Sequence, residues 1–313
     1  AGRIDILRQE AFAEDPLRIL RGCQFAARFE YRVTATTQAA MTAAAPLIAT
    51  VSPERVRDEL AKLLSARRPS LGLEVMRETG VLAFVLPEVA EGIGVEQNEY
   101  HAYDVYRHGL ATLDAVPAGD LTLRLAALLH DVGKPRTKDG PHFYRHESVG
   151  ADMARAICER LRFPSETSAH VERLVRHHMY VADPHQEART IRRFIRRVGS
   201  DLIDRQFALR TADITGSGLP KRGAENELFQ ERVNRILEEK PPLTVRDLAI
   251  DGRVVIDALV RAGKLPRGSR GGPEVGSLLQ ALLEQVTDDP ARNEEACLRA
   301  AVEELLAAPS GAN

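Results

Sequence analysis

The spacing of apolar side chains limits this chain more than any other feature: they recur every three or four positions, and alternating β-branched runs are nearly absent. A period near 3.6 belongs to helices with one buried face, whereas strands need a period of two. Between Glu14 and Glu30, Leu17, Leu20 and Ala27 form one stripe, with Arg18, Arg21 and Arg28 beside it. An Ala-rich helix is expected over Thr37–Ile48. Ser52-Pro53 then supplies an N-cap and a first-turn proline for a helix to Leu64 that carries Val56, Leu60 and Leu63 inward. Ser70 is expected to cap the next helix and Gly80 to stop it. Further helices are expected through His108 and over 121–132 (ended by Gly133), 147–161, 165–179, 187–198, 202–211, 224–239 and 293–306, with a polar loop over 134–144. The expected fold is all-α. It divides into 1–65, a connecting helical segment 66–95, a central domain 96–216 and a helical body 217–313.

At 313 residues the chain is long enough for two or three packed units. No apolar run approaches the roughly 20 residues needed to span a bilayer. No leader pattern precedes the first helix, and the start at Ala1 rather than Met suits a processed or trimmed form. Cys23, Cys158 and Cys297 lie far apart, which excludes a disulfide framework and a cysteine zinc site and suits a reducing, cytoplasmic setting. Net charge is −2, so a nucleic-acid partner must be met by local clusters of basic residues.

The central third concentrates metal-ligand chemistry. His130-Asp131 ends an apolar helix in LRLAALLHDVGKP; His108 lies upstream, and His146, His177-His178 and Asp213 lie downstream. Alone, a His or Asp at a helix end is an ordinary capping or surface group. Together, imidazoles and carboxylates suit Mn, Fe, Co, Ni or Zn, with Mg left possible, as one ion or two. His178 continues the apolar face of Val171, Leu174 and Val175, so it is expected to point inward, and His177 toward the neighbouring face.

The order His108, His130-Asp131, Asp213 resembles the H…HD…D signature of the HD phosphohydrolase superfamily, and HDVGKP is its most characteristic stretch. His146 and His178 resemble the extra histidines that hold a second metal in binuclear members. The resemblance implies metal-assisted phosphoester hydrolysis, with His130, Asp131 and Lys134 as candidate catalytic residues. Lys134 is open to two roles: pairing with a phosphate, or standing solvated.

A second resemblance lies in the flanks. EDPLRILR with FAARF, and SPERVRDELAKLL, are similar to the neck of bacterial tRNA nucleotidyltransferases and poly(A) polymerases. LAIDGRVVIDAL and GPEVGSLLQALLEQV look like the body of that family. The resemblance implies that Asp15 and Arg18 read the base of an incoming nucleotide. The bland reading of the same pair is a helix cap and a solvated arginine. The family's catalytic head, with its D-x-D carboxylates, should precede the neck; Ala1–Phe12 is at most its tail, and the chain contains no D-x-D. This chain alone is therefore not expected to add nucleotides.

Arg189, Arg192, Arg193, Arg196 and Arg197 share a helix face opposite Ile191, Phe194, Ile195 and Val198. That stripe either grips an RNA backbone or pairs with acidic neighbours. Aromatic residues are only 5% of the chain, which argues against a base-stacking platform. GSGLPKRG (216–223) lacks phosphate-loop spacing and reads as a plain loop. The leading expectation is a metal-dependent hydrolase acting on RNA 3′ ends, tRNA above all, or on nucleotides with a 2′,3′-cyclic or 2′-phosphate. The alternatives are a tRNA-binding module without the head, and a subunit that works with a separate head.

Overall fold

The computed structural model describes residues 2–8, 10–97, 102–220 and 223–307. The fold is all-α; among the described residues the only strands are two short pairs, Arg3–Ile4 parallel to Arg32–Val33 and Lys138–Asp139 antiparallel to His142–Phe143. No helix among the described residues is long and apolar enough to cross a membrane. The chain forms two compact units, Ala1–Val181 with Asp201–Asn226, and Ala182–Ser200 with Glu227–Asn313.

In the first unit one core runs from Phe12 to Val175, so the N-terminal helices and the central ones share buried surface. The Leu17–Phe29 helix buries Leu17, Ile19, Leu20, Cys23 and Ala27, the stripe expected from its sequence. It stops where Glu30 turns left-handed at φ 54°. The Pro53–Leu64 helix starts on Ser52 and Pro53 as expected, although the Ser52 hydroxyl makes no capping bond. The next helix, Pro69–Glu78, corrects one detail. Ser70 lies inside its first turn rather than capping it, and its hydroxyl donates to the Asp114 carboxylate instead. Arg124 is buried at 1% exposure. Its guanidinium donates to the Leu64 and Ala66 carbonyls and, at 3.0 and 3.3 Å, to those of Val116 and Pro117. Four carbonyls left over at helix and turn ends are thereby satisfied by one cation.

Helices Val105–Ala115, Leu121–Leu129, His146–Arg160, Ser165–Arg176 and Ile203–Gly216 complete this unit. The segment expected as a polar loop over 134–144 contains a short helix, Lys134–Thr137, and the 138–143 hairpin. Gly133 does not end its helix by turning left-handed, since its φ is −79°. Its lack of a side chain matters for packing: a Cβ there would meet the His146 carbonyl oxygen and come within 2.6 Å of the Gly150 nitrogen. That close approach seats the start of the 146–160 helix against the His130-Asp131 turn. The 203–216 helix runs five residues past the expected Thr211 and so carries Asp213 in its last turns.

The second unit holds the Ala188–Val198 helix and a separate core built from Leu248 to Val302 across helices Gly252–Arg261, Pro273–Asp288 and Glu295–Ala307. Here the arginine stripe departs from a uniformly solvated face. Arg192 is 8% exposed, and its guanidinium donates to the carbonyls of Thr287 at 2.6 Å and Asp288 at 2.7 Å. Arg193 pairs with the Asp288 carboxylate, Arg196 with Gln280, and Arg189 with Glu187; Arg197 is exposed. A cation at the C-terminal end of the 273–288 helix meets that helix's unpaired carbonyls and its negative dipole end. Replacing Arg192 with Met is expected to lower the stability of the protein by about 2 kcal/mol, the worth of charged hydrogen bonds left unmade. Thermal denaturation at low and high salt checks this: a loss that disappears in high salt would mean the contact is only surface electrostatics.

Candidate metal centre

Six side chains from separate elements converge in the first unit. His108 comes from the 105–115 helix, His130 caps the 121–129 helix, and Asp131 follows it in the turn. His146 opens the 146–160 helix, and Asp213 lies on the 203–216 helix. His178 points inward as expected, for a different reason from the one its sequence suggests: the helix ends at Arg176, and His178 lies beyond it with its Nδ1 turned back to Val175. All four histidines and Asp131 are buried.

The tautomers follow from the hydrogen bonds. Nδ1 of His108 faces the Gly216 carbonyl at 3.2 Å, that of His130 faces Ala127 at 2.8 Å, that of His146 faces Phe143 at 2.8 Å, and that of His178 faces Val175 at 2.7 Å. A carbonyl oxygen only accepts, so each Nδ1 carries hydrogen and each neutral ring turns an Nε2 lone pair inward. The Nε2 atoms of His108 and His130 then lie 3.1 Å apart, and those of His146 and His178 3.3 Å apart. Two lone pairs facing each other at such distances repel unless a metal ion or a proton stands between them. The donor set therefore fits metal ions, and its backbone-anchored imidazoles are the arrangement that fixes ligand orientation.

The ligands form two groups. Atoms of His108, His130 and Asp213 lie within 4.8 Å of one another, and so do atoms of Asp131, His146 and His178. Asp131 faces both. Its Oδ2 is 3.2 Å from His130 Nε2 and 3.5 Å from His108 Nε2, while its Oδ1 is 3.4 Å from His146 Nε2 and 3.6 Å from His178 Nε2. Asp131 is thus within reach of both ligand groups.

The two carboxylates and the burial of the rings set the electrostatics of the centre. Burial opposes charge on His130, but the Asp131 and Asp213 carboxylates more than offset it, and its pKa is raised. Burial also opposes charge on Asp131, yet His130 and Lys134 hold it well below the ordinary carboxylate range. Asp213 is lowered against its burial by the His108 hydrogen bond and His130. Burial pushes His178 down, toward the neutral form that a metal ligand needs. Lys134 is not solvated: it is buried, with Nζ 2.7 Å from Asp131 Oδ2 and 2.6 Å from Gln97 Oε1. Arg210, which the sequence reading missed, donates to Asp213 Oδ2 at 3.0 Å. Its position three residues before Asp213, one helical turn away, was the available signal.

The centre opens into a cavity of about 840 Å³, also lined by Lys134, Arg210, Phe143, Tyr144 and Met179. Ser217, Leu219 and Pro220, from the 216–223 segment read as a plain loop, line it too; Lys221 and Arg222 lie outside the described residues. The other expected site residues are elsewhere. Asp15 accepts from Arg55 at 3.1 Å, and Arg18 donates to Glu14 and to the Ala11 carbonyl, each at 3.1 Å. The five arginines of the 188–198 helix belong to the second unit.

Residues 99–214 match the HD domain family, and residues 30–93 match the family described as the probable RNA and SrmB-binding site of polymerase A. The chain is 36% identical over 295 residues to the CC-adding tRNA nucleotidyltransferase of Thermus thermophilus, covering 89% of this chain and 64% of that protein. The chain belongs to the tRNA nucleotidyltransferase family. It is also 34% identical over 298 residues to the A-adding tRNA nucleotidyltransferase of Deinococcus radiodurans, covering 89% of this chain and 66% of the relative. It therefore spans a little under two thirds of the length of these relatives. Among solved structures, the Bacillus stearothermophilus CCA-adding enzyme in complex with CTP shares the fold, with a TM-score of 0.63 at 20% identity over 95% of this chain and 63% of that one.

Loaded with Mn and desalted, the protein is expected to retain about two ions per chain, one for each ligand group. Elemental analysis of variants checks the division of the ligands into two groups. Asp131→Asn should lose most of both ions, and His178→Ala about one. Equal losses in the two variants would contradict the division into two groups.

Proposed function

We propose that this centre hydrolyses phosphate esters at RNA 3′ ends, or on nucleotides, opening a 2′,3′-cyclic phosphate or removing a 2′-phosphate. The observation that carries this reading is the shared Asp131 carboxylate between two imidazole groups at the base of a cavity large enough for a nucleotide. Bound divalent ions would lower the pKa of water and neutralise charge on the phosphoryl oxygens. His108, His130 and Asp213 would hold one ion, His146 and His178 the other, with Asp131 between them. Lys134 positions Asp131 by gripping Oδ2, leaving Oδ1 turned toward His146 and His178. Arg210 fixes Asp213 in the same way and adds positive charge to the cavity wall, which favours an anionic substrate. In the reaction one P–O ester bond breaks, water supplies the new P–O bond, and the released ribose oxygen takes a proton. A cyclic phosphate blocks a tRNA 3′ end from extension, so opening it suits a scaffold similar to tRNA nucleotidyltransferases.

A second reading is favoured by the 36% identity to a CC-adding enzyme. On it, the chain is the part of a nucleotidyltransferase that holds tRNA, Asp15 and Arg18 address the incoming base, and a head, as a separate subunit or part of a longer chain, supplies the D-x-D carboxylates.

Metal-stripped protein re-supplied with Mn, Ni, Co, Fe, Zn or Mg should hydrolyse 2′,3′-cyclic AMP with at least one of them, and His130→Ala should reduce kcat by about 100-fold or more. If no metal restores turnover while tRNA still binds the parent and His130→Ala equally, the second reading stands and the first falls.

A further inference from the structure

We propose that His142 and Tyr144 form a stacking shelf for a nucleobase, so that the centre takes phosphates carried on a nucleoside in preference to bare sugar or alkyl phosphates. The inference rests on the hydrolytic reading for its chemistry, but base binding can be measured without turnover. His142 lies on the second strand of the 138–143 hairpin and Tyr144 follows it directly. Their rings stack with centroids 5.3 Å apart and planes 30° from parallel. Both line the same cavity as the candidate metal ligands, and Tyr144 is 64% exposed. Met179, 57% exposed, lines the same cavity and adds a polarisable thioether. Exposed rings and a thioether at the mouth of a charged centre leave apolar area in water, and a flat heterocycle covers such area whatever its identity.

The shelf is also held in register with the ligands. Phe143 lies between His142 and Tyr144, and its carbonyl accepts from His146 Nδ1 at 2.8 Å. The Phe143 ring lies 5.5 Å from Lys134 Nζ, which in turn grips Asp131. The backbone that presents the shelf therefore orients one metal ligand directly and packs on the side chain that positions another. A nucleotide whose base rests on the shelf has its phosphate placed relative to the ions by the same hairpin. The 5% aromatic content of the whole chain is an average that conceals this local run of three rings.

The test uses the full chain and 2-aminopurine riboside 2′-phosphate, a product-like probe whose fluorescence falls on stacking, with 1-O-methylribose 2-phosphate as its base-free counterpart. Binding of the first should quench fluorescence. Tyr144→Ala should weaken that binding by about 10-fold, as expected for loss of one base–ring stack. Tyr144→Phe should keep it, and binding of the base-free ligand and the metal content should stay as in the parent. Absence of quenching in the parent, or equal weakening of both ligands by Tyr144→Ala, would overturn the shelf. Quenching that persists in a chain unable to turn over 2′,3′-cyclic AMP would support the shelf while removing the hydrolytic reading.

Discussion

Everything at the centre depends on four imidazole N–H groups being committed to backbone carbonyls. Because the Nδ1 hydrogens of His108, His130, His146 and His178 are spent on Gly216, Ala127, Phe143 and Val175, each ring in its neutral form turns an Nε2 lone pair toward the others. Four lone pairs and two carboxylates then share one small volume, a charge distribution that bound cations or added protons balance. Three of the four carbonyls lie three residues before their histidine, so the ligand geometry is a property of helix ends and tight turns. The fourth, Gly216, is fixed by the far end of another helix. Small residues matter here because these ends must come together: Gly133 meets the His146 carbonyl and Gly150, and Gly216 lies against Thr112.

Helical periodicity made the all-α class legible, and the Leu17/Leu20/Ala27 stripe is buried where the pattern placed it. The His130-Asp131 turn and its distant partners were legible because few roles other than ligation bring so many imidazoles to apolar helix ends. What the sequence hid was set by tertiary packing. A lysine in a glycine-proline turn left two roles open, phosphate pairing or solvation, and Lys134 is instead buried because Asp131 and Gln97 satisfy it. Ser70 had the residue type of a cap, but Asp114, forty-four positions away, claimed its hydroxyl. The 138–143 hairpin is too short for any periodicity to announce. Gly133 signalled a helix stop, whereas its actual constraint is a neighbour that sequence spacing does not reveal.

The arginines of the 188–198 helix show why a charge pattern underdetermines its use. All five lie on one side, yet Arg192 caps a helix from within the second unit, and Arg193 and Arg196 face acidic or amide side chains there. The same guanidinium fork that suits phosphate suits carbonyls and carboxylates equally well. A basic stripe therefore becomes an RNA-binding site only to the extent that its protein partners leave it free, and Arg197 is the member with the fewest such claims.

The interleaved order of the two units bears on how the protein is made. Arg192 precedes its carbonyl partner Thr287 by 95 residues. At typical synthesis rates the 188–198 helix emerges from the ribosome roughly 5–20 s before the segment that completes its burial. During that interval the helix lacks the carbonyls that Arg192 binds, although Phe229, whose ring packs against Phe194, is made much sooner, and the first unit already has all the residues of its own by Asn226. Five closely spaced positive charges on the nascent helix would repel other copies of the chain, so Arg192, Arg193 and Arg196, which later bind the 273–288 helix, would also act as gatekeepers against aggregation while it waits.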